Sequence, residues 1–323
     1  MTPTLTRRDF VKTSTAASLG LWTASQGDAN AAFKTKLHKA MIRKPVEADL
    51  KALKEAGFEG FETSHICPPE EAAQGRALAK KFGLRIHSVL RGWAEFNSDD
   101  PAKVESSLEV TRNALRAAKA YGADAILLVP CKIDPKKIPT PDPWEFDIKC
   151  DPKTGEVTQV VAGDNSKFQD YIKAQNHATE TSRAAVKKLI PLAEELKVVI
   201  ALENVWNNLW VRPALFKAFV ASFNNRWVKA YYDVGNHMKY IAPPEEWIRT
   251  LGSLIVKIHI KDYALAPDKR SGKFVHPRDG SVNWPAVRQA IEDIRYNGWL
   301  SIEDGGLPLE EFSKRLDLII AGK

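Results

Sequence analysis

The sequence predicts an α/β protein built as a single (β/α)8 barrel, with a β-hairpin inserted after the fourth strand. Three observations carry this. Short apolar runs of strand length alternate eight times with segments of helical period. Glycine or proline stands at most of the changeovers. Four of the runs in the second half of the chain also finish on a residue that can bind a divalent cation: Glu203, Asp233, His259 and Glu303. Repeated βα units with right-handed crossovers lay their strands side by side, so all the strand ends open onto one face. The four side chains should therefore meet there.

In chain order, Leu37 to Ile42 reads as the first strand and Val46 to Ala56 as an amphipathic helix stopped by Gly57. Phe58 to Ser64 is the second strand. A helix opened by Pro69 runs to Phe82 and is capped by Gly83. Leu84 to Val89 is the third strand, followed by a loop through Trp93 and a long helix from Pro101 to Tyr121. Ala125 to Val129 is the fourth strand. Residues 130–165 break the rhythm: Trp144 to Ile148 and Glu156 to Val161 flank Asp151-Pro152-Lys153-Thr154-Gly155, a hairpin and its turn. An insertion of this length at a barrel mouth is expected to act as a lid. The remaining strands end at Glu203, Asp233, His259 and Glu303, with helices at Ser166 to Leu196, Pro213 to Ser222, Glu245 to Leu251 and Trp284 to Asn297, and a closing helix from Pro308.

The barrel is expected to occupy residues 32–323, because 1–31 read as a leader. Arg7-Arg8 precedes a weakly apolar stretch to Trp22, and Ala29-Asn30-Ala31 is a small-x-small cleavage pattern. This resembles a bacterial twin-arginine export signal, so the mature chain is expected in the periplasm or secreted. At 323 residues, 44% hydrophobic and 27% charged, the chain suits one large core. Its net charge of +7 comes without a Lys/Arg stripe interleaved with aromatics, which argues against a nucleic-acid groove. The expected partner is a small molecule, and a homo-oligomer is compatible. No run is long and apolar enough to span a membrane. Three cysteines are too few for a disulfide framework, although Cys131 and Cys150 flank the insertion and are candidates to pair, which would leave Cys67 free.

Three carboxylates and one imidazole suit a hard or borderline divalent cation, and a soft thiophilic metal would want cysteine instead. Candidate substrate contacts follow by position. Glu62, His65 and His87 lie at or beyond the ends of the second and third strands, His237 and Lys261 just after the Asp233 and His259 strands, and His276 and Arg278 on a loop over the mouth. Trp93, Trp144 and Trp206 are candidates to stack on a ligand ring. Each of these also fits a purely structural role.

The segments Leu202-Glu203-Asn204, Asp233-Val234-Gly235-Asn236, His259-Ile260-Lys261-Asp262 and Ile302-Glu303, with Glu55 to Glu62, resemble the sugar phosphate isomerase/epimerase family of xylose isomerase-like TIM barrels. The likeness runs from about Lys36 to Ile320. It implies that Glu203, Asp233, His259 and Glu303 hold Mn2+ in the first place, with Mg2+, Co2+ or Zn2+ as alternatives, and that Glu203 and Glu303 are the catalytic acid-base pair. The chemistry implied is isomerisation or epimerisation at a carbon beside a carbonyl. The alternatives are a dehydratase or lyase acting on an oxidised sugar or glycoside, and a non-catalytic, metal-dependent carbohydrate-binding protein. An AP endonuclease on the same barrel would need more metal-binding histidines than the seven present. Two positions depart from the ketose 3-epimerase pattern. Asn236 stands where a histidine follows the aspartate, with His237 one residue later, and Leu265 replaces an arginine after His259, which directs attention to Lys261 and Arg278.

Overall fold

The computed structural model describes residues 33–323, so the leader at 1–31, with its arginine pair, lies outside the described residues. In chain order the elements are β1 (Leu37–Ile42), α1 (Glu47–Glu55), β2 (Gly60–Thr63), α2 (Pro69–Lys81), β3 (Arg85–Trp93), α3 (Pro101–Tyr121), β4 (Ala125–Val129), β5 (Phe146–Cys150), β6 (Val157–Val161) and α4 (Gln169–Leu196). They continue with β7 (Val199–Glu203), α5 (Pro213–Ala221), β8 (Val228–Asp233), α6 (Pro244–Leu251), β9 (Ile255–Ile260), β10 (Asp262–Leu265), β11 (Gly272–Val275), α7 (Trp284–Asp293), β12 (Gly298–Ile302) and α8 (Leu309–Ile320). Strands β1, β2, β3, β4, β7, β8, β9 and β12 close into a parallel barrel in that order. Two antiparallel hairpins, β5–β6 and β10–β11, stand outside it. No helix among the described residues is long and apolar enough to cross a membrane.

Alternation along each strand divides the core in two. In β4, Ile126 and Leu128 face the layer under the helices. Ala125, Leu127 and Val129 point inward, where they meet Ala201 and Tyr231. In β12 the inward residue is Trp299, whose ring stacks on His87 at 4.8 Å and 7°. A glycine makes room for it. A Cβ on Gly60 would stand 2.4 Å from the Arg85 carbonyl oxygen and 2.6 Å from the indole. The long helix α3 starts and stops as its sequence dictates: the Asp100 side chain accepts from the Ala102 N–H, and Gly122 adopts φ 75° at the far end.

The first hairpin falls where the sequence places it, and it is fastened down. Phe146, Val157 and Val160 are buried. The side chain of Asn176 on α4 takes both the N–H and the carbonyl of Val157, and Arg212 donates to the Phe146 carbonyl. The second hairpin has no counterpart in the sequence reading, since its four-residue strands are too short to show a period. Trp144 links the two, with the Arg270 guanidinium 5.6 Å from its ring centre. Cys131 and Cys150, candidates to pair, do not: all three cysteines are free thiols. Cys131 is buried beside Ser182 of α4, its Sγ 3.1 Å from the serine Oγ, whereas Cys150 ends β5.

Candidate metal centre

The carboxyl ends of β7, β8, β9 and β12 bring Glu203, Asp233, His259 and Glu303 together, each offering a donor atom within 4.8 Å of the others. Register explains the convergence. Asp233 of β8 pairs directly with His259 of β9, whose other neighbour is Ser301 of β12, two residues before Glu303 and on the same strand face. His259 Nδ1 lies 3.4 Å from Glu203 Oε1 and 3.0 Å from Glu303 Oε2. It is aligned for a hydrogen bond to neither, and Asp233 Oδ2 and Glu303 Oε2 likewise have no aligned hydrogen bond and only the Lys261 ammonium beside them. Buried polar atoms are rarely left this way.

The neighbouring residues fix which atom each ligand presents. Glu62, at the end of β2, lies 2.6 Å from His259 Nε2, and both side chains are fully buried. Ser88 donates to the second Glu62 oxygen at 2.8 Å. An ionised Glu62 can only accept, so it keeps a proton on Nε2 and makes Nδ1, facing Glu203 and Glu303, the nitrogen that would give up its proton to a metal. Asn204 and Asn236 do the same for Asp233. Asn204 Oδ1 accepts from the Asp233 N–H, and the Asn236 N–H donates to Asp233 Oδ1 at 2.7 Å, which leaves Oδ2 for the centre. Glu62 was expected to touch sugar, and the fold instead gives both its oxygens to protein partners.

The electrostatics match a cluster that wants positive charge. Burial raises Glu203 to about 7, opposed by the facing His259 imidazole and assisted by the charges of Glu303 and Asp233. Burial also lifts Asp233 to about 6 against the attraction of Lys261. Burial opposes protonation of His259, but the charges of Glu62 and Glu303 outweigh it and hold the imidazole well above its ordinary value. Glu303 goes the other way: burial would raise it, yet His259 and Lys261 hold it below the usual carboxylate range. Lys261 Nζ sits 2.9 Å from Glu303 Oε2 and 3.5 Å from Asp233 Oδ2. With three acids and one directed imidazole nitrogen facing each other, the residues present fit a divalent cation of the Mn2+ and Mg2+ kind.

Above the centre opens a cavity of about 490 Å³ lined by Lys261, Phe274, His276, Glu303 and Asp304. His276 reaches it with Nδ1 2.8 Å from Asp304 Oδ2. Asp262 shapes this rim. Its buried carboxylate accepts from the N–H groups of Tyr263, Arg278, Gly280 and Val282 and from the Trp284 indole. Phe274, on the unanticipated second hairpin, stacks on Trp206 at 4.7 Å. Tyr263 meets the Trp206 ring edge-on at 5.7 Å. The hint in the sequence was the aromatic-bearing stretch Lys273-Phe274-Val275, which ends just before His276.

The other expected contacts are dispersed. His87 is fully buried inside the barrel, beneath the ring of Trp299, with neither nitrogen partnered. Burial, with the charges of Lys257 and His259, keeps it well below the ordinary histidine range. His237 is buried too; Asn204 Nδ2 lies 3.2 Å from its Nδ1, and its ring packs on Trp247. Trp93 is half exposed and lines a separate groove with Lys132 and His177. Arg278 is exposed, its backbone N–H held by Asp262. His65 pairs with Glu71 at 2.7 Å, in a different pocket from the mouth.

Residues 50–318 match the family described as xylose isomerase-like TIM barrel. No curated protein sequence matches the chain. Among solved structures, the 3-keto-D-glucoside 4-epimerase of E. coli is similar at 14% identity and a TM-score of 0.63, over 88% of this chain and 99% of that one. A D-tagatose 3-epimerase-like protein is similar at 15% identity and a TM-score of 0.65, over 87% and 98%. The D-psicose 3-epimerase of Clostridium cellulolyticum H10, crystallised with D-tagatose, is similar at 16% identity and a TM-score of 0.62, over 87% and 98%. At these identities the likeness is one of fold.

Proposed function

The chain belongs to the xylose isomerase-like TIM barrel family, and from that premise we propose that it is a divalent-metal-dependent sugar isomerase or epimerase. In this reading Glu203, Asp233, His259 and Glu303 hold the metal, Mn2+ first among Mg2+, Co2+ and Zn2+. The observation that carries it is the convergence of Glu203, Asp233, His259 and Glu303 at the carboxyl ends of four barrel strands, each with a ligand atom within 4.8 Å of the others. The sugar substrates named for the similar structures, among them a 3-keto-D-glucoside, support a carbohydrate as the ligand.

A proton on a carbon beside a carbonyl is removed at neutral pH only if the charge that develops on the oxygen is stabilised. A cation held by Glu203, Asp233, His259 and Glu303 would supply that stabilisation as a Lewis acid. Glu203 and Glu303 then do the proton work. One carboxylate takes the proton from one face of the planar intermediate and the other returns a proton from the opposite face, each contributing on the order of 100- to 10,000-fold. Lys261 holds Glu303 at 2.9 Å and keeps it ionised. Trp206, Phe274 and His276 form the wall against which a sugar ring would lie, and the insertion at 130–165 acts as a lid through Trp144.

Glu303→Gln tests this. The variant should fold and bind Mn2+ more weakly, and it should no longer wash deuterium from solvent into the reacting carbon of a 3-keto-glucoside or ketohexose. Retained exchange removes Glu303 from the pair. Metal-dependent sugar binding by the wild type with no exchange at all favours a non-catalytic binder, and loss of water from the sugar favours a lyase. We also propose export through residues 1–31; replacing Arg7 and Arg8 by lysine should then retain a fused reporter in the cytoplasm.

A further inference from the structure

We propose that His65, Cys67 and Glu71 form a second metal site, for a borderline ion of the Zn2+ type, on the outside of the barrel. His65 and Cys67 lie on the loop between β2 and α2, and Glu71 lies in the first turn of α2. An imidazole nitrogen, a thiol sulfur and a carboxylate oxygen, one from each, lie within 4.8 Å of one another. Zinc bonds to these donors run from about 2.0 to 2.3 Å, so the donors around one tetrahedral ion stand roughly 3.3 to 3.8 Å apart. His65 Nε2 and Glu71 Oε1, now 2.7 Å apart, would open slightly and Cys67 would close in. Both side chains are about half exposed, at 43% and 55%, and free to make that adjustment.

The surroundings suit the assignment. The Tyr121 hydroxyl lies 3.2 Å from Cys67 Sγ and 3.2 Å from the His65 carbonyl oxygen. The Thr63 hydroxyl accepts from the His65 N–H, which fixes the loop on the other side. Burial and the charge of Glu71 raise the Cys67 thiol, so without a metal it stays protonated. Binding therefore exchanges the thiol proton for the ion: the S–H bond breaks, the S–metal bond forms, and the proton leaves to solvent. A cavity of about 370 Å³, bounded by Lys44, Gln74 and Tyr121, adjoins His65 and Glu71. Sulfur is what separates this site from the mouth. The mouth offers only nitrogen and oxygen, so the two sites sort ions by softness. Filled, the outer site would pin the β2–α2 loop to the helix that follows.

This inference does not rest on the proposed reaction, and its test has its own readout. Co2+ titrated into the reduced, metal-free full chain should produce a thiolate-to-cobalt charge-transfer band and bind two equivalents. Cys67→Ser should lose the band and one equivalent. Glu203→Gln should keep the band. If Cys67→Ser fails to fold, Glu71→Gln should still weaken the cobalt dependence of the band by about 10-fold or more. No charge-transfer band at saturating Co2+, a band that survives Cys67→Ser, or a band indifferent to Glu71→Gln overturns the site.

Discussion

Glu62→Gln should weaken divalent-cation binding by about 10- to 100-fold, or about 1.4 to 2.7 kcal/mol, while leaving the barrel folded. Glutamine has nearly the volume of glutamate, so the fully buried position stays filled. What changes is the hydrogen bond to His259. In one amide orientation the NH2 group donates to His259 Nε2, which drives the ring proton to Nδ1 and removes the lone pair aimed at Glu203 and Glu303. In the other, the amide oxygen still accepts from Nε2 and Ser88 rotates its hydroxyl to accept, but the carboxylate charge that polarised the imidazole is gone. Both outcomes lower affinity. Glu62→Leu removes the oxygen altogether, leaves a buried N–H unpaired and should cost more than the glutamine variant. Titration calorimetry with Mn2+ on apo-protein reads the affinity, and urea unfolding of the same apo-proteins reads the fold. Wild-type Mn2+ affinity in Glu62→Leu, alongside lost affinity in Glu203→Gln, would refute the view that Glu62 holds the histidine for the metal.

Stripping the metal should lower stability, and Mn2+ at about 100 times its Kd should restore about 2.7 kcal/mol; a melting temperature unmoved by chelation and readdition contradicts the centre. His237 is depressed from 6.5 to about 3, chiefly by burial and then by Lys239 and Arg212. Between those values the unfolded chain binds a proton that the folded one does not, so stability should fall as pH drops below about 6.5, by on the order of 5 kcal/mol in full. Urea midpoints measured against pH should be flatter in His237→Asn, and identical slopes would rule out this source. Gly60→Ala should cost about 1 to 3 kcal/mol by pushing a methyl into the Arg85 carbonyl and the Trp299 ring; an unchanged urea midpoint would mean the strand shifts freely. Asp262→Asn should speed amide exchange at Arg278, Gly280 and Val282, which all donate to its carboxylate; unchanged protection would show that the rim holds without it.

The barrel was legible because its eight strands are apolar runs punctuated by glycine and proline, as with Ala125 to Val129 after Gly122. The metal cluster was legible because strand order and the two-residue period fix which side chains reach the mouth. What stayed hidden depended on distances across the fold. Glu62 and His259 are 197 residues apart, so nothing in the chain marks one as the other's partner. His87 and His237 occupy strand-end positions that look open in sequence. Trp299 and Trp247 cover them, and packing of that kind leaves no local signature. The hairpin β10–β11 escaped because its strands are four residues long and partly polar.

By itself, then, the sequence determined the (β/α)8 architecture and the identity of the four side chains that converge at its mouth, since both follow from local periodicity and the handedness of βα crossovers. Only the tertiary structure decided what surrounds them: the buried carboxylate that sets the imidazole tautomer, the lysine that holds Glu303 ionised, and the aromatic wall at the mouth. Those depend on side chains meeting through space inside a low-dielectric core, where a shift of an ångström changes which proton sits where.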